Sequence, residues 1–400
     1  MMRIYITGAD GYVGWPLAQE LTSAGHTVYG VDANIRRRLV SDTGGNSIIP
    51  ILTPPERVQA TGISLEYLNI AHSPHTLRAS LGGFQPDCIM HLAAQPSAPY
   101  SMRSVTEAWE TIENNNKATV NILWAMRESC PETHLIQIGT MGEYGTPGVL
   151  IPEGCFPYRS FWKHPACPGP EKYDPECDAP HDISGMQFPR KPGSFYHLSK
   201  VNDTHAIEMA CRLWGLRSTD IMQGVVYGTR WGEAGNAGQG QATRFDIDES
   251  FGTVINRWVA QAILGIPLTL YGAGHQKRGF VSLRDCVASL QTVAETCALR
   301  PGSYRTLNQI DEVYDLTELS EAVCAVATDF DLAPTVDRVE NPREEAEEHE
   351  YTVHSGGLRE LGFTPTGSLS ETLREMFEDL RPHRERIRAL KKVLAPKTKW

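Results

Sequence analysis

Arg3-Ile4-Tyr5-Ile6-Thr7-Gly8-Ala9-Asp10-Gly11-Tyr12-Val13-Gly14 reads as a short β-branched strand that runs into a glycine-rich turn. The residues after it, Tyr12 to Ser23, place Val13, Leu17 and Leu21 near one face of an expected helix. Pro16 falls in the first turns of that helix, where a missing N–H costs least. Gly25 stands where a helix C-terminus favours positive φ, and Thr27 to Val31 is the next strand. This is one βαβ unit. Its glycines Gly8, Gly11 and Gly14 would let bare backbone approach a pyrophosphate at a helix N-terminus, where the dipole favours negative charge. Asp32 ends the second strand 18 residues past Gly14, where a carboxylate takes both ribose hydroxyls. The expected cofactor is therefore NAD. A guanidinium of Arg36-Arg37-Arg38 would suit the 2′-phosphate of NADP, but with Asp32 present a solvated or substrate-side role is expected for that run.

Outward from this unit, apolar runs recur at 88–92, 135–138 and 219–222, with helical stretches near 104–128 and 196–214. Strands alternating with helices predict an α/β fold built on a doubly wound parallel sheet, followed by a smaller mixed α/β lobe. We divide the chain into 1–222, carrying a long insertion at about 148–192, and 223–400, from which some segments return to the first unit. The 400 residues suit one large α/β domain with such a lobe. Glycine-rich Gly232 to Gly240 is expected to be a mobile loop.

Thirty-seven Lys and Arg against 48 Asp and Glu give a net charge of −11, which argues against a general nucleic-acid or anionic-membrane binder. No apolar run approaches the roughly 20 residues of a bilayer span, and no leader segment is read at the start. Nine scattered cysteines suit reduced thiols, so the expected compartment is the cytoplasm. Cys155, His164, Cys167, Cys177 and His181 lie in the insertion without a CxxC pair, so we read a lid or substrate-shaping loop there and assign no metal. The acidic run 344–348 and the basic tail from Arg381 are read as solvated faces.

Tyr196 and Lys200, at i and i+4 of a predicted helix, point off one face. A phenol of ordinary pKa about 10 is a poor base at neutral pH, and an ammonium one turn away lowers it. Thr140, just after an apolar strand, puts a hydroxyl at the strand end where doubly wound folds hold ligands.

Together the glycine turn, Thr140, Tyr196 and Lys200 resemble the extended short-chain dehydrogenase/reductase superfamily, the NAD-dependent nucleotide-sugar epimerases and dehydratases with a Rossmann domain. Within it, 11–15, 97–102, 139–147, 194–200, 223–228 and 341–349 are similar to the sulfoquinovose synthases. The resemblance implies that Tyr196 takes the sugar 4-hydroxyl proton, Thr140 orients that hydroxyl, and Lys200 binds the nicotinamide ribose. Glu143 and His197 become candidates for proton transfer around C5 and C6, and Met141 joins the catalytic set. It implies a cofactor site of Gly8, Gly11, Tyr12, Val13, Gly14, Asp32, Asn34, Arg36, Asn69, Ile70, Leu92 and Lys200. The substrate side would hold Gln95, Ser97, Gln223, Val225, Val226, Arg257, Thr269, Tyr271, Arg278 and Arg343, the last two on the diphosphate because planar guanidinium engages two oxygens at once.

The implied substrate is UDP-glucose or a relative, with sulfite as second reactant. A homodimer is implied too, through the helices at 104–128 and 196–214. Two departures stand out. Ordinary 4,6-dehydratases carry Asp-Glu right after the threonine, whereas this chain has Met141-Gly142. The sulfoquinovose synthases carry Glu and Arg before the serine that Ser97 matches, whereas this chain reads Ala94-Gln95-Pro96. A nucleotide-sugar 4-epimerase or dehydratase variant is the alternative reading, and a non-catalytic dinucleotide sensor a third.

Overall fold

The structure is a computed structural model. It describes residues 1–153, the backbone of 155–158 and 184–187, and residues 189–232, 241–296, 299–343, 351–394 and 398–399. The mobile loop expected at 232–240, the acidic run 344–348, and His164, Cys167, Cys177 and His181 lie outside the described residues, apart from Gly232.

The first half builds β1 (Arg3–Thr7), α1 (Gly14–Ser23), β2 (Thr27–Asp32), α2 (Ile35–Asp42), α3 (Pro54–Thr61), β3 (Ser64–Tyr67), α4 (Pro74–Phe84), β4 (Cys88–His91), α5 (Ala98–Ser101), α6 (Val105–Ser129) and β5 (His134–Ile138). Between β5 and α7 lies a hairpin, β6 (Cys155–Tyr158) with β7 (Ser184–Gln187). Then come α7 (Phe195–Trp214), β8 (Arg217–Gln223), β9 (Val225–Tyr227), α8 (Val254–Leu264), β10 (Leu268–Tyr271), β11 (Lys277–Ser282), α9 (Leu283–Thr296) and β12 (Tyr304–Gln309). The chain continues through β13 (Glu312–Asp315), α10 (Leu316–Thr328), β14 (Val336–Val339), α11 (Gly357–Glu360), α12 (Leu369–Leu380) and α13 (Arg384–Ala389).

Seven strands form one sheet in the order β12-β8-β5-β4-β1-β2-β3, every pair parallel. The order reverses at β1, the switch point beside which such folds open their ligand crevice. Ile4 and Ile6 pack with Leu17, Leu21 and Met90 in one core layer, while Tyr5 packs with Ile89, Ile122 and Leu135 in another. That two-sided burial follows from helices covering both faces of a parallel sheet. Helix α1 begins at Gly14 rather than Tyr12, because Gly11 N–H returns to Gly8 O and keeps the preceding residues in the turn.

The later elements make the lobe. Helices α8, α10 and α12 bury Trp258, Leu319 and Phe377 around β10 and its parallel partner β14, and β9, β11 and β13 form a three-stranded sheet beside them. The C-terminal tail keeps its cations exposed, as the solvated reading expects, and is anchored on its other side: Ile387 and Leu394 are buried, Arg384 donates to Ile263 O and Arg386 to Ser47 O. Five described thiols, Cys88, Cys130, Cys211, Cys286 and Cys324, are free. Among the described residues no helix is long and apolar enough to cross a membrane, and no group of side chains could hold a metal ion.

Candidate active site

The cofactor end is shaped by what glycine leaves out. Gly8 has φ +77°, and a Cβ there would sit 2.7 Å from Ala93 N; a Cβ on Gly14 would sit 2.1 Å from Gly8 O. The turn therefore closes only without side chains and leaves its backbone open to a diphosphate. Asp32 accepts from Asp10 N–H at 3.0 Å and from Asn34 N–H at 2.7 Å. Burial, and then the charge of Asp10, push the Asp32 carboxyl up to about 6. A cavity of about 260 Å³ opens beside it, lined by Ala33, Ile35, Leu39, Tyr67, Asn69 and Gln95 among others. The cradle, the ribose acid and this adenine-sized space fit NAD. Ile70 is buried, its carbonyl accepting from Asn121, and Leu92 N–H donates to Thr7 O beneath the turn. The Tyr12 hydroxyl donates to Gly228 O at 2.5 Å, so it fastens the turn to the segment after β9.

Within the Arg36–Arg38 run, Arg36 and Arg37 are half-buried in ion pairs, and Arg38 is exposed as the solvated reading expects. Arg36 pairs with Asp246, donates to Phe251 O and stacks on the Phe251 ring. Arg37 binds both oxygens of Asp10 and Leu52 O, and Arg38 pairs with Asp42 and Glu110. Arg36 and Arg37 are thus held by buried carboxylates, while Arg38 makes only exposed pairs at the rim of the cavity; the Asp32 carboxylate is what favours NAD over NADP.

At the end of β5, Thr140 caps a 3-10 turn, Met141–Glu143, its hydroxyl accepting from Gly142 N–H. The N-terminus of α7 faces this turn because the Ser194 hydroxyl caps the helix by accepting from His197 N–H. Thr140 lies close enough to the Tyr196 hydroxyl to lower its pKa. Burial first, then Glu143, raise the Tyr196 hydroxyl above the usual phenol range. Lys200, one turn on and buried, donates from Nζ to Ile138 O at 2.8 Å, with Asp203 at 3.9 Å. Thr140, Tyr196 and Lys200 thus converge at the C-terminal end of β5, as the spacing predicts.

His197 lies against Gly142: a Cβ on that glycine would come within 2.3 Å of His197 Nε2. Burial, then Arg343 and Arg278, push this imidazole down to about 3, so it is neutral, and its Nδ1 is buried without a partner.

Several residues expected to meet ligand carry other contacts. Glu143 is fully buried behind Thr140, whose N–H it accepts at 3.3 Å, so it faces the interior and not the open cleft. Met141 is packed with Tyr144 and Met222. Gln95 donates to Ser97 O and Thr111, and the Ser97 hydroxyl donates to Ser250 O while accepting from Tyr100 N–H. The Gln223 amide meets Gln309 and Cys286, and Val226 is in the main core beside partly buried Val225. Thr269 bonds Gln261 and Trp258, while Arg257 stacks over Tyr271 at 5.7 Å. For Gln95, Ser97, Gln223, Val226 and Thr269 the side chain is directed into the fold.

Other site residues carry no motif. Asn115 holds the Ser199 hydroxyl and Gln95, while Asn116 holds Asp203 beside Lys200. The Asn114-Asn115-Asn116 run was the available signal, since asparagine is a poor choice for a helix interior. Thr204, Asp220 and Arg190, gathered behind Thr140, have no such mark.

A dinucleotide cradle at the first βαβ turn and a Thr-Tyr-Lys constellation over the end of β5 define a nucleotide-dependent oxidoreductase-type site. The chain belongs to the NAD dependent epimerase/dehydratase family, whose model matches residues 4–305. It is 39% identical to the UDP-sulfoquinovose synthase of Sulfolobus acidocaldarius, over 100% of this chain and 98% of that protein. It is 34% identical to the chloroplastic UDP-sulfoquinovose synthase of Spinacia oleracea, over 100% and 79%. A dTDP-glucose 4,6-dehydratase of Salmonella typhimurium is 21% identical over 94% and 92%. In fold, the chain is similar to the UDP-glucose 4-epimerase of Thermotoga maritima solved with UDP-glucose, with TM-score 0.67, 17% identity, and coverage of 95% and 99%. A Bacillus cereus UDP-glucuronic acid 4-epimerase in complex with UDP-glucuronic acid and NAD gives 0.65 and 18%, with the same coverage.

Proposed function

We propose that this chain converts UDP-glucose and sulfite to UDP-sulfoquinovose through transient oxidation at sugar C4. The observation that carries this reading is the pairing of Gly142 with His197. Where ordinary 4,6-dehydratases present a carboxyl pair, this turn presents no carboxylate to the cleft, and a neutral imidazole fills the space that a side chain at 142 would need. The full-length relation to two UDP-sulfoquinovose synthases supports the same choice.

Tyr196, beside Thr140, takes the 4-hydroxyl proton, and the positive charge of Lys200 favours its phenolate. NAD, when bound, supplies the hydride acceptor at C4 and returns the hydride at the end. The C4 ketone acidifies H5, so water can leave across C5 and C6. Sulfite then forms a C–S bond at C6, and C5 regains a proton. His197 can take or give that proton, because a neutral imidazole has one donor and one acceptor nitrogen. Arg278 and Arg343 hold the diphosphate.

The protein is proposed to act as a cytoplasmic homodimer. Val105, Trp109, Val120 and Trp124 on α6 and Leu198, Met209 and Leu213 on α7 are large apolar side chains exposed along two helices that pack together. Their spacing makes a stripe suited to a second copy.

Purified protein given UDP-glucose with and without sulfite, followed by mass spectrometry and the absorbance of bound NADH, tests the reaction. A sulfonated sugar nucleotide that depends on sulfite is the expected product. Epimer or dehydrated sugar without sulfur would move the assignment to the alternative, a 4-epimerase or dehydratase variant, which Gln95-Pro96 favours by leaving no cation at the expected anion position.

A further inference from the structure

Behind the Thr140 turn, polar side chains from four parts of the chain meet in a space closed to solvent. Glu143 Oε2 lies 3.0 Å from Thr204 Oγ1 of α7. The same hydroxyl oxygen lies 2.6 Å from Asp220 Oδ2 of β8. Asp220 Oδ2 also accepts from the Tyr304 hydroxyl of β12 at 2.9 Å, and Tyr304 in turn accepts from Thr306.

A hydroxyl carries one hydrogen. Two contacts of hydrogen-bond length from Thr204 to two carboxyl oxygens therefore require a second proton, held on one of the carboxyls. Asp220 Oδ2 already receives the Tyr304 hydrogen, so Thr204 donates to Asp220, and Glu143 holds the extra proton and donates it to Thr204. Charge balance leads to the same place. Around Glu143 the buried ionic groups are Arg190, before α7, Lys200 and Asp203 of α7, and Asp220. Two cations face two anions, and the balance holds only while Glu143 is neutral. Arg190 does not close a tight pair with it: Nη1 is 3.8 Å from Glu143 Oε2 and donates to Met222 Sδ, while the guanidinium stacks on Tyr144.

We propose that Glu143 and Asp220 form a carboxyl pair that shares one proton across the Thr204 hydroxyl, which keeps the Thr140 turn uncharged beside Tyr196. All three are positioning residues, and Glu143 is not a proton carrier to the sugar. Burial and the Asp220 charge push Glu143 up to about 8, and burial raises Asp220 as well. An ionised Glu143 makes the Tyr196 phenolate harder to form, since the two negative charges repel. The proton is present below about pH 8 and is lost as pH rises through that value, so the turn favours the Tyr196 base only on the lower side.

The proposal rests on the Tyr196 chemistry above for its consequence, but not for the proton itself. Infrared difference spectra of the full-length protein without sugar should show a buried protonated-carboxyl band at neutral pH. That band should vanish in Glu143→Gln and titrate near pH 8. Absence of the band overturns the proposal whatever the enzyme's substrate. The pH profile of NADH formation with UDP-glucose should show an alkaline limb that moves to lower pH in Asp220→Asn, where the charge that raises Glu143 is gone, is displaced in Thr204→Val and is restored in Thr204→Ser. An unmoved limb in both Asp220→Asn and Thr204→Val also overturns it. No NADH from the wild type, with the infrared band present, refutes the function reading and leaves the shared proton standing.

Discussion

Tyr196 and His197 are neighbours in sequence with opposite tasks, and their surroundings separate them. In the proposed reaction Tyr196 has to ionise although burial raises its hydroxyl, so it would depend on Lys200 and the nicotinamide for opposing charge. Tyr196→Phe is expected to lower NADH formation by roughly 10²–10⁴-fold, the usual weight of a general base, with NAD still bound in the purified variant. His197, held near 3, contributes no titration between pH 5 and 9. Asp32 gives a different pH dependence. Its carboxyl is raised to about 6, and ribose hydroxyls donate to the ionised form, so NAD affinity is expected to fall as pH drops through 6. Equilibrium titration with NAD from pH 5 to 8 checks this, and an unchanged affinity would remove Asp32 from the ribose site. These identities were legible in the sequence. Their protonation states were not, because each follows from burial and from charges such as Arg278 and Arg343, far away along the chain.

At the scale of elements, the 3-10 turn after β5 is the piece that sets the chemistry. Gly142 is there because α7 brings the His197 ring where a side chain would go. Gly142→Ala would put its Cβ 2.3 Å from Nε2, and displacing the ring by about an ångström should cost roughly 100-fold in turnover with little loss of fold. Circular dichroism and bound-NADH absorbance on the same sample separate the two effects, and full activity would show that the ring position is unimportant. The glycine-rich turn shows the same logic. Gly14→Ala, with its Cβ 2.1 Å from Gly8 O, should cost about 1–3 kcal/mol and release NAD, read by denaturant unfolding and cofactor content. Segment 241–251 was not recognisable as part of the cofactor end. It lies across the turn because Arg57 donates to Ala242 O, Thr243 to Tyr12 O and Arg36 to Phe251 O. Such contacts join residues some 185 to 231 positions apart, which no local pattern records.

In the whole molecule, the doubly wound sheet sets the cofactor cradle and the Thr-Tyr-Lys group at the same edge, and α6 with α7 turns an apolar stripe outward. Trp124→Glu with Leu213→Glu is expected to convert a dimer to monomer in sedimentation at micromolar concentration. A wild type that is already monomeric would refute the interface. By itself the sequence determined the βαβ start, the parallel sheet and the placement of Tyr196 and Lys200 one turn apart on a helix, because strand alternation, helix periodicity and turn chemistry act over a few residues. Tertiary structure alone decided that Gln95 and Gln223 turn into the fold, that Arg36 and Arg37 are consumed in ion pairs, and that Glu143 meets Asp220 across Thr204. In those cases the deciding quantity is the burial of a polar or charged group and the partner that must then satisfy it. Burial is a property of the packed chain, and the partner comes from another element.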